Sequence, residues 1–298
     1  MDKVLIFGSS GQLGTDLVGA MQNSTAFDVI PLTHEMADCR DADAVRCAVL
    51  KVRPKYVVNC AAYVNVDECE DHAENAFAVN ALGALNIARA CAEVDACCVY
   101  VSTDYVFAGH KNTPYIESDS TNPINIYGTS KLAGEHLVKL TTARWLIVRV
   151  ASLFGKSGAH AKGGNFIERI LAKAKQGEEF EVVADMQISP TYTRNAAGVI
   201  AFLMLAGAGG VIHVTNRGSC SWYDFAKAAL ELCGIETNII PVPSSVFPMR
   251  ARRPINSVLR SERSDLQARC PIPTWREALC SYLVERGYMQ SRHTAILK

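Results

Sequence analysis

Short apolar runs alternate with longer stretches of helical spacing through the first half of the chain. Residues 3–7 (KVLIF), 28–32 (DVIPL), 56–60 (YVVNC), 98–102 (CVYVS) and 145–151 (WLIVRVA) carry almost no polar interruption. Runs of that length without alternation suit strands buried on both faces. Amphipathic segments over residues 13–21, 42–52, 73–93 and 127–140 fall between them. Strand and helix in strict alternation predict an α/β fold with a doubly wound parallel sheet.

The last third is less regular. It offers helices over 165–176, 193–205, 222–232 and 275–286, and strands over 180–183 and 211–214. Residues 156–164 form a Gly/Ala/Lys-rich stretch that reads as a flexible lid or connection. Residues 185–192 read as a polar loop, and residues 241–254 are rich in Pro and Arg. The expected division is 1–154 for the main α/β unit and 155–298 for a smaller lobe, parts of which return to the main sheet.

Composition narrows the function classes. The 298 residues are 49% apolar, enough for a full core and against disorder. Thirty basic residues balance thirty acidic ones, so charge gives no case for nucleic acid or an anionic membrane. The longest apolar stretch, 199–214, is broken by Gly207, Gly209 and Gly210, too soon for a membrane span. The chain opens directly on a strand, with no signal-peptide pattern. Eleven cysteines without a CxxC pair read as small core residues of a reducing, cytoplasmic protein.

Candidate chemistry sits at the ends of the predicted strands. Gly8, Gly11 and Gly14 follow the first strand and open a helix through Gln12 and Leu13. Glycines there let the backbone approach a pyrophosphate at the helix N-terminus, although the spacing is GxxGxxG rather than GxGxxG. The second strand ends in Thr33 and His34, with neither an acid nor an arginine placed to read a ribose, so NADPH and NADH both stay open. The cluster Asp38-Cys39-Arg40-Asp41 either caps the helix over 42–52 or lies along an adenine. Ala61, Ala62 and Tyr63 follow the third strand, where small residues let a ligand lie against backbone, or simply pack closely. Asn80 reads either as a buried functional amide or as a cap. Thr103, Asp104 and Tyr105 follow the fourth strand. Tyr127 and Lys131 stand one helical turn apart, so the ammonium is expected to pull the phenol toward a working proton-transfer range.

Together these stretches resemble an extended short-chain dehydrogenase/reductase, and within that group the dTDP-4-dehydrorhamnose reductase family, over nearly the whole chain. The motifs are Gly8-Ser9-Ser10-Gly11-Gln12-Leu13-Gly14, Asn59-Cys60-Ala61-Ala62-Tyr63 and Ser102-Thr103-Asp104-Tyr105-Val106-Phe107. Tyr127-Gly128-Thr129-Ser130-Lys131, Gly164-Asn165-Phe166 and Arg252-Arg253-Pro254 extend the match. The resemblance implies a Rossmann-like dinucleotide domain. It also implies reduction of a nucleotide-linked 4-keto deoxysugar by NADPH or NADH. Tyr127 is then the proton donor, Lys131 holds the nicotinamide ribose, and Thr103 tunes the phenol. Gly8, Gly11, Gln12, Leu13, Gly14, Asp38, Cys39, Ala61, Ala62 and Tyr63 belong to the cofactor site. Asp104, Tyr105, Ser152, Asn165 and Arg253 belong to the sugar-nucleotide site.

Two departures fall in the substrate region. Ser152 stands where the family commonly has tryptophan, and the usual Asp-Gln-x-Gly-x-Pro-Thr loop appears as Asp185-Met186-Gln187-Ile188-Ser189-Pro190-Thr191. Some members bind magnesium at a dimer interface through glutamates. Asp16 falls near one such position without a complete ligand set, so a homodimer is carried as an expectation and a metal is not. Two other readings stay open: a nucleotide-sugar epimerase that retains its NAD, and a non-catalytic relative of the methionine adenosyltransferase regulatory subunit.

Overall fold

The computed structural model describes residues 1–157, 164–177 and 179–289. In chain order the strands are β1 (Asp2–Phe7), β2 (Phe27–Leu32), β3 (Tyr56–Asn59), β4 (Cys97–Thr103), β5 (Trp145–Val150) and β6 (Leu153–Phe154). They continue with β7 (Phe180–Val183), β8 (Gln187–Ile188), β9 (Thr191–Tyr192), β10 (Gly210–His213), β11 (Cys220–Ser221) and β12 (Ile239–Val242). The helices are α1 (Gln12–Gln22), α2 (Ala42–Val52), α3 (Val66–Asp71), α4 (Ala73–Phe77), α5 (Gly83–Val94) and α6 (Ile126–Thr141). After them come α7 (Phe166–Ala174), α8 (Thr193–Leu205), α9 (Trp222–Cys233), α10 (Ser264–Arg269) and α11 (Trp275–Glu285).

Six strands form one sheet in the order β2-β1-β3-β4-β5-β10, every pairing parallel. The chain runs from β1 outward to β2, then crosses back to lay β3 on the other side of β1. That reversal opens a crevice above the C-terminal ends of β1 and β3, where open α/β sheets bind ligands. Alternate residues of each strand feed two cores. Val4, Ile6, Val58, Val99 and Val148 meet α1 and α8 on one face. Leu5, Phe7, Val57, Tyr100 and Ile147 meet α2 and α5 on the other. Both faces are covered, which is why the strands read as unbroken apolar runs. The late strand β10 and helix α8 return to this sheet, as the sequence implies.

A second core holds α7, α9 and α11 together. Phe154 stacks on Tyr192 at 5.5 Å between centroids and meets Tyr282 edge-on at 5.4 Å. The residues that precede and follow these helices differ from the sequence reading in two places. Residues 185–192 hold the short strands β8 and β9 rather than only loop. Pro241 lies inside β12, which pairs in parallel with β7 alone in a two-stranded edge that tolerates a missing donor. Of the expected lid over 156–164, residues 158–163 lie outside the described residues. Among the described residues, no helix is long and apolar enough to cross a membrane.

The expected helix over 73–93 is not uniform. Between α4 and α5 the chain makes a π turn at Ala78–Leu82. The wider turn presents the Asn80 carbonyl to the sheet, where the Tyr100 hydroxyl donates to it at 2.8 Å. The fully buried Asn80 side chain accepts from the Tyr63 backbone N–H at 2.9 Å and donates to the Tyr63 carbonyl and to Ser130 Oγ. Asn80 is therefore a strut between the loop after β3 and helix α6. Tyr100→Phe would leave that buried carbonyl without its donor, at a cost of about 1–3 kcal/mol. Urea unfolding at constant m-value checks this; a midpoint equal to wild type would remove the strut from the account.

Candidate active site

The loop between β1 and α1 is shaped by what its glycines lack. Gly8 has φ +71°, and a Cβ there would sit 2.6 Å from the Ala61 backbone nitrogen. A Cβ on Gly14 would meet the Gly8 carbonyl oxygen at 2.2 Å. Gly11 caps α1 without any side-chain hydrogen bond, so the first-turn N–H groups have no protein cap. Beside this loop lies a cavity of about 410 Å³. Gly8, Gly11, Asp38, Cys39, Ala61, Ala62 and Tyr63 all line it, as expected for them. Gln12, Leu13 and Gly14 form the first turn of α1; Gln12 reaches the Leu153 carbonyl and Leu13 is buried in the core. Asn59 Nδ2, buried at the end of β3, has no hydrogen-bond partner. A side-chain-free cradle, an uncapped helix start and an unpartnered amide fit a dinucleotide.

His34 and Arg40 also line this cavity, as do Asn75 and Val79, which were not singled out in the sequence. Asp38 does not cap the following helix. Asp41 does, accepting from the Asp43 and Ala44 N–H groups at 3.0 Å each. Asp38 instead takes a forked bond from Arg40, with Nε at 2.9 Å and Nη2 at 2.6 Å. The Arg40 side chain holds the Asp38 carboxyl below the usual range.

Helix α6 delivers the tyrosine and lysine. Asn125 caps it, accepting from the Gly128 N–H at 2.7 Å while its amide donates to the Arg252 carbonyl. Tyr127 is half-buried, edge-on to Tyr105 with centroids 6.0 Å apart. Burial pushes its phenol above the ordinary value, against a hydrogen bond with the Thr103 side chain that lowers it. Thr103 ends β4, accepts from the Tyr105 N–H at 3.2 Å and donates to Asp104 Oδ1 at 3.0 Å. Lys131 is 2% exposed. Its Nζ donates to the Val101 carbonyl at 2.6 Å and lies 4.2 Å from the centre of the Tyr100 ring. Burial brings its ammonium down to about 8. Burial, Thr103, Asp104, Cys69 and Tyr105 are the main influences on Tyr127.

The substrate residues divide. Asp104 and Tyr105 stand beside Thr103 and Tyr127 on the turn after β4. Arg253 Nη2 donates to Asp67 Oδ2 at 2.7 Å, and its Nη1 is buried without a hydrogen-bond partner. Ser152 adopts φ +43°, a left-handed backbone that a non-glycine residue holds under strain, just past the end of β5. Asn165 is built into the second core. It caps α7, and both its amide protons are committed, to the Gly155 carbonyl and to the Tyr282 hydroxyl. Asp16 accepts a bond from Thr193 Oγ1, beside the Arg194–Glu285 ion pair. Among the described residues, no group of three His, Cys, Asp or Glu side chains can hold a metal ion.

A larger cavity, about 690 Å³, lies elsewhere, between α8, the segment after β10 and residues 258–272. Tyr127, Lys131 and Thr103 do not line it. Depth alone is therefore a poor guide here; a phenol, a hydroxyl and an ammonium gather at the end of β4, with Lys131 near Cys39 and Cys60, which line the cavity beside the glycine loop.

Comparison with known proteins agrees with this geometry. The family model described as the RmlD substrate binding domain matches residues 2–287. The spore coat polysaccharide biosynthesis protein SpsK of Bacillus subtilis is 40% identical over 287 residues, covering 96% of this chain and 99% of its own. A dTDP-4-dehydrorhamnose reductase of Burkholderia thailandensis is 37% identical, covering 93% and 96%. The crystal structure of dTDP-4-dehydrorhamnose reductase from Bacillus anthracis in complex with NADP superposes with a TM-score of 0.90 at 37% identity, covering 95% and 99%. With its parallel sheet, glycine cradle and Tyr/Lys helix, the chain belongs to the RmlD family of extended short-chain dehydrogenase/reductases.

Proposed function

We propose that this protein reduces the 4-keto group of a nucleotide-linked deoxysugar with NADPH or NADH, converting dTDP-4-dehydrorhamnose to dTDP-L-rhamnose. One observation carries the reading. A half-exposed phenol stands beside a threonine hydroxyl, with a buried ammonium one turn along the same helix, next to a cradle that fits a dinucleotide. The dinucleotide, when bound, supplies the hydride. Reduction leaves negative charge on the C4 oxygen of the sugar. Tyr127 stays protonated across the working range because burial raises its phenol, so a proton is always available. An alkoxide is more basic than a phenolate, and the transfer runs downhill even from a raised phenol. The single Thr103 hydroxyl proton, held by Asp104 at rest, then turns to the phenolate and stabilises it. Lys131 presents an ammonium to the ribose side of the cleft, and Asp104 and Tyr105 hold the sugar hydroxyls. The open Nη1 of Arg253 offers a charged donor to the substrate diphosphate.

The same reading places the protein in the cytoplasm. Among the described residues none of the cysteines forms a disulfide, and seven of them are buried. Oxidation of NADPH by purified protein, followed against dTDP-, UDP- and GDP-linked 4-keto sugars, tests the whole proposal. Turnover on the dTDP sugar supports it. Interconversion of epimeric sugars without added cofactor would make the protein an epimerase instead, and silence toward every 4-keto sugar would remove it from this chemistry.

Two variants refine the roles. Tyr127→Phe keeps the ring and loses the proton; kcat should drop by roughly 10²–10⁴ with dinucleotide affinity retained. Near-normal turnover would take the donor role from Tyr127. Arg253→Met should raise the sugar-nucleotide KM by about 10- to 100-fold, the worth of one or two charge-assisted bonds, with little change in kcat at saturation. A KM equal to wild type would show that the diphosphate is held elsewhere.

A further inference from the structure

Helix α6 carries a third polar residue on the same stripe. Tyr127, Lys131 and Glu135 are four apart, so phenol, ammonium and carboxylate follow one another along one face. The chemistry above uses only the first two. Glu135 is nevertheless fully buried and fully bonded. It accepts from Ser102 Oγ at 2.6 Å, Arg149 Nε at 2.8 Å and Arg149 Nη2 at 2.7 Å. Ser102 and Arg149 face each other across β4 and β5 in register. Lys131 is anchored one residue earlier on β4, at the Val101 carbonyl. Carboxylate and ammonium are thus tied to adjacent residues of one strand. A buried ion pair of this kind is weak evidence for stability, because desolvation offsets much of its attraction. Its position calls for another reason.

We propose that Glu135 is the positioning residue of the site lysine: its carboxylate, fixed by Arg149 and Ser102, keeps the Lys131 side chain in its ammonium form against the Val101 carbonyl. The inference rests on the reading in which Lys131 must be charged to hold the dinucleotide. Burial lowers the Lys131 ammonium to about 8, and Glu135 is the strongest influence opposing that fall. Of the other titratable groups around the pair, burial also lowers Lys139, which Lys139→Met would remove from the pH profile, and the rest are neutral in the same range. Burial raises Tyr100 on β4, Tyr127 on α6, and the thiols of Cys39 and Cys60 on the neighbouring loops, so all are neutral. Burial also lowers His213 on β10, whose Nε2 is 3.5 Å from Arg149 Nη1. Lys139, also on α6, has its Nζ 3.9 Å from Glu135 on the side away from Lys131 in sequence. Glu135 itself resists burial: the Arg149 and Ser102 bonds outweigh desolvation and hold it below the usual range.

The sign of the effect follows. An amine with its value near 8 is charged below that pH and loses its proton as pH rises through it. Removing the Glu135 charge lowers the amine further, so the loss begins at more acid pH. The test is the Kd for NADPH, read by its fluorescence from about pH 6 to pH 10 in wild type and three variants. Wild type should bind less tightly once the pH passes about 8. Lys131→Met should bind weakly with that limb gone. Glu135→Gln should shift the limb about one pH unit to the acid side while keeping affinity near pH 6 within about threefold. Glu135→Gln with Arg149→Met removes the stranded guanidinium, and should show the same displacement should the single variant fail to fold. A limb unmoved in the folded variants, or affinity lost equally at every pH, overturns the inference and leaves Glu135 a structural ion pair. A limb that persists in Lys131→Met would instead overturn the role of Lys131, and the inference with it.

Discussion

Helix α6 lies as close to the sheet as it does because two of its residues have no side chain. A Cβ on Gly128 would come 2.1 Å from the Tyr105 carbonyl oxygen, and one on Gly134 would come 2.4 Å from the Asn80 carbonyl and 2.5 Å from the Tyr100 hydroxyl. Those contacts are with backbone and with a rigid phenol, so nothing can yield cheaply. The helix therefore has one docking depth. That depth sets Tyr127 against Thr103, buries Lys131 over the Tyr100 ring, and brings Glu135 within reach of Arg149. It also accounts for the π turn opposite, which turns the Asn80 carbonyl toward the hydroxyl it needs.

Much of this was legible in the amino-acid sequence. Uninterrupted apolar strands, glycines at 8, 11 and 14, and the Tyr127/Lys131 spacing are local patterns, and each maps onto one element. The glycine loop was readable for the same reason: a loop between a buried strand and a helix has few conformations open to it, and glycine marks them. What stayed hidden depends on partners distant in sequence. Nothing in residues 73–93 announces a π turn, whose Asn80 carbonyl meets a tyrosine on β4. Asp41 rather than Asp38 caps α2, a choice between two acids three residues apart that local spacing leaves open. The amide of Asn165 looked free for a sugar, but Tyr282, more than a hundred residues later, takes it.

Lys131 shows how far spacing alone carries a reading. Four-residue spacing placed it one turn from Tyr127, yet the spacing says nothing about where a long side chain points. The Val101 carbonyl and the Tyr100 ring hold the ammonium, and burial weakens it. Glu135 was visible as the next residue in the same series, 127, 131, 135. The signal that could have marked it is the arginine on the following strand, since a charge on each of two buried elements implies that they meet.

The Asn125 cap has a consequence for the order in which the protein is made. Its side-chain amide is held by the Arg252 carbonyl, while Arg250 and Arg253 grip Asp71 and Asp67 of α3. Those residues leave the ribosome about 125 positions after the helix they complete. Strands β1 to β5 and their helices can pair while synthesis continues, but the mouth of the cleft is stitched only when the segment around residue 252 emerges. A nascent chain can hold most of its sheet for many seconds, at ordinary elongation rates, before that stitching is complete.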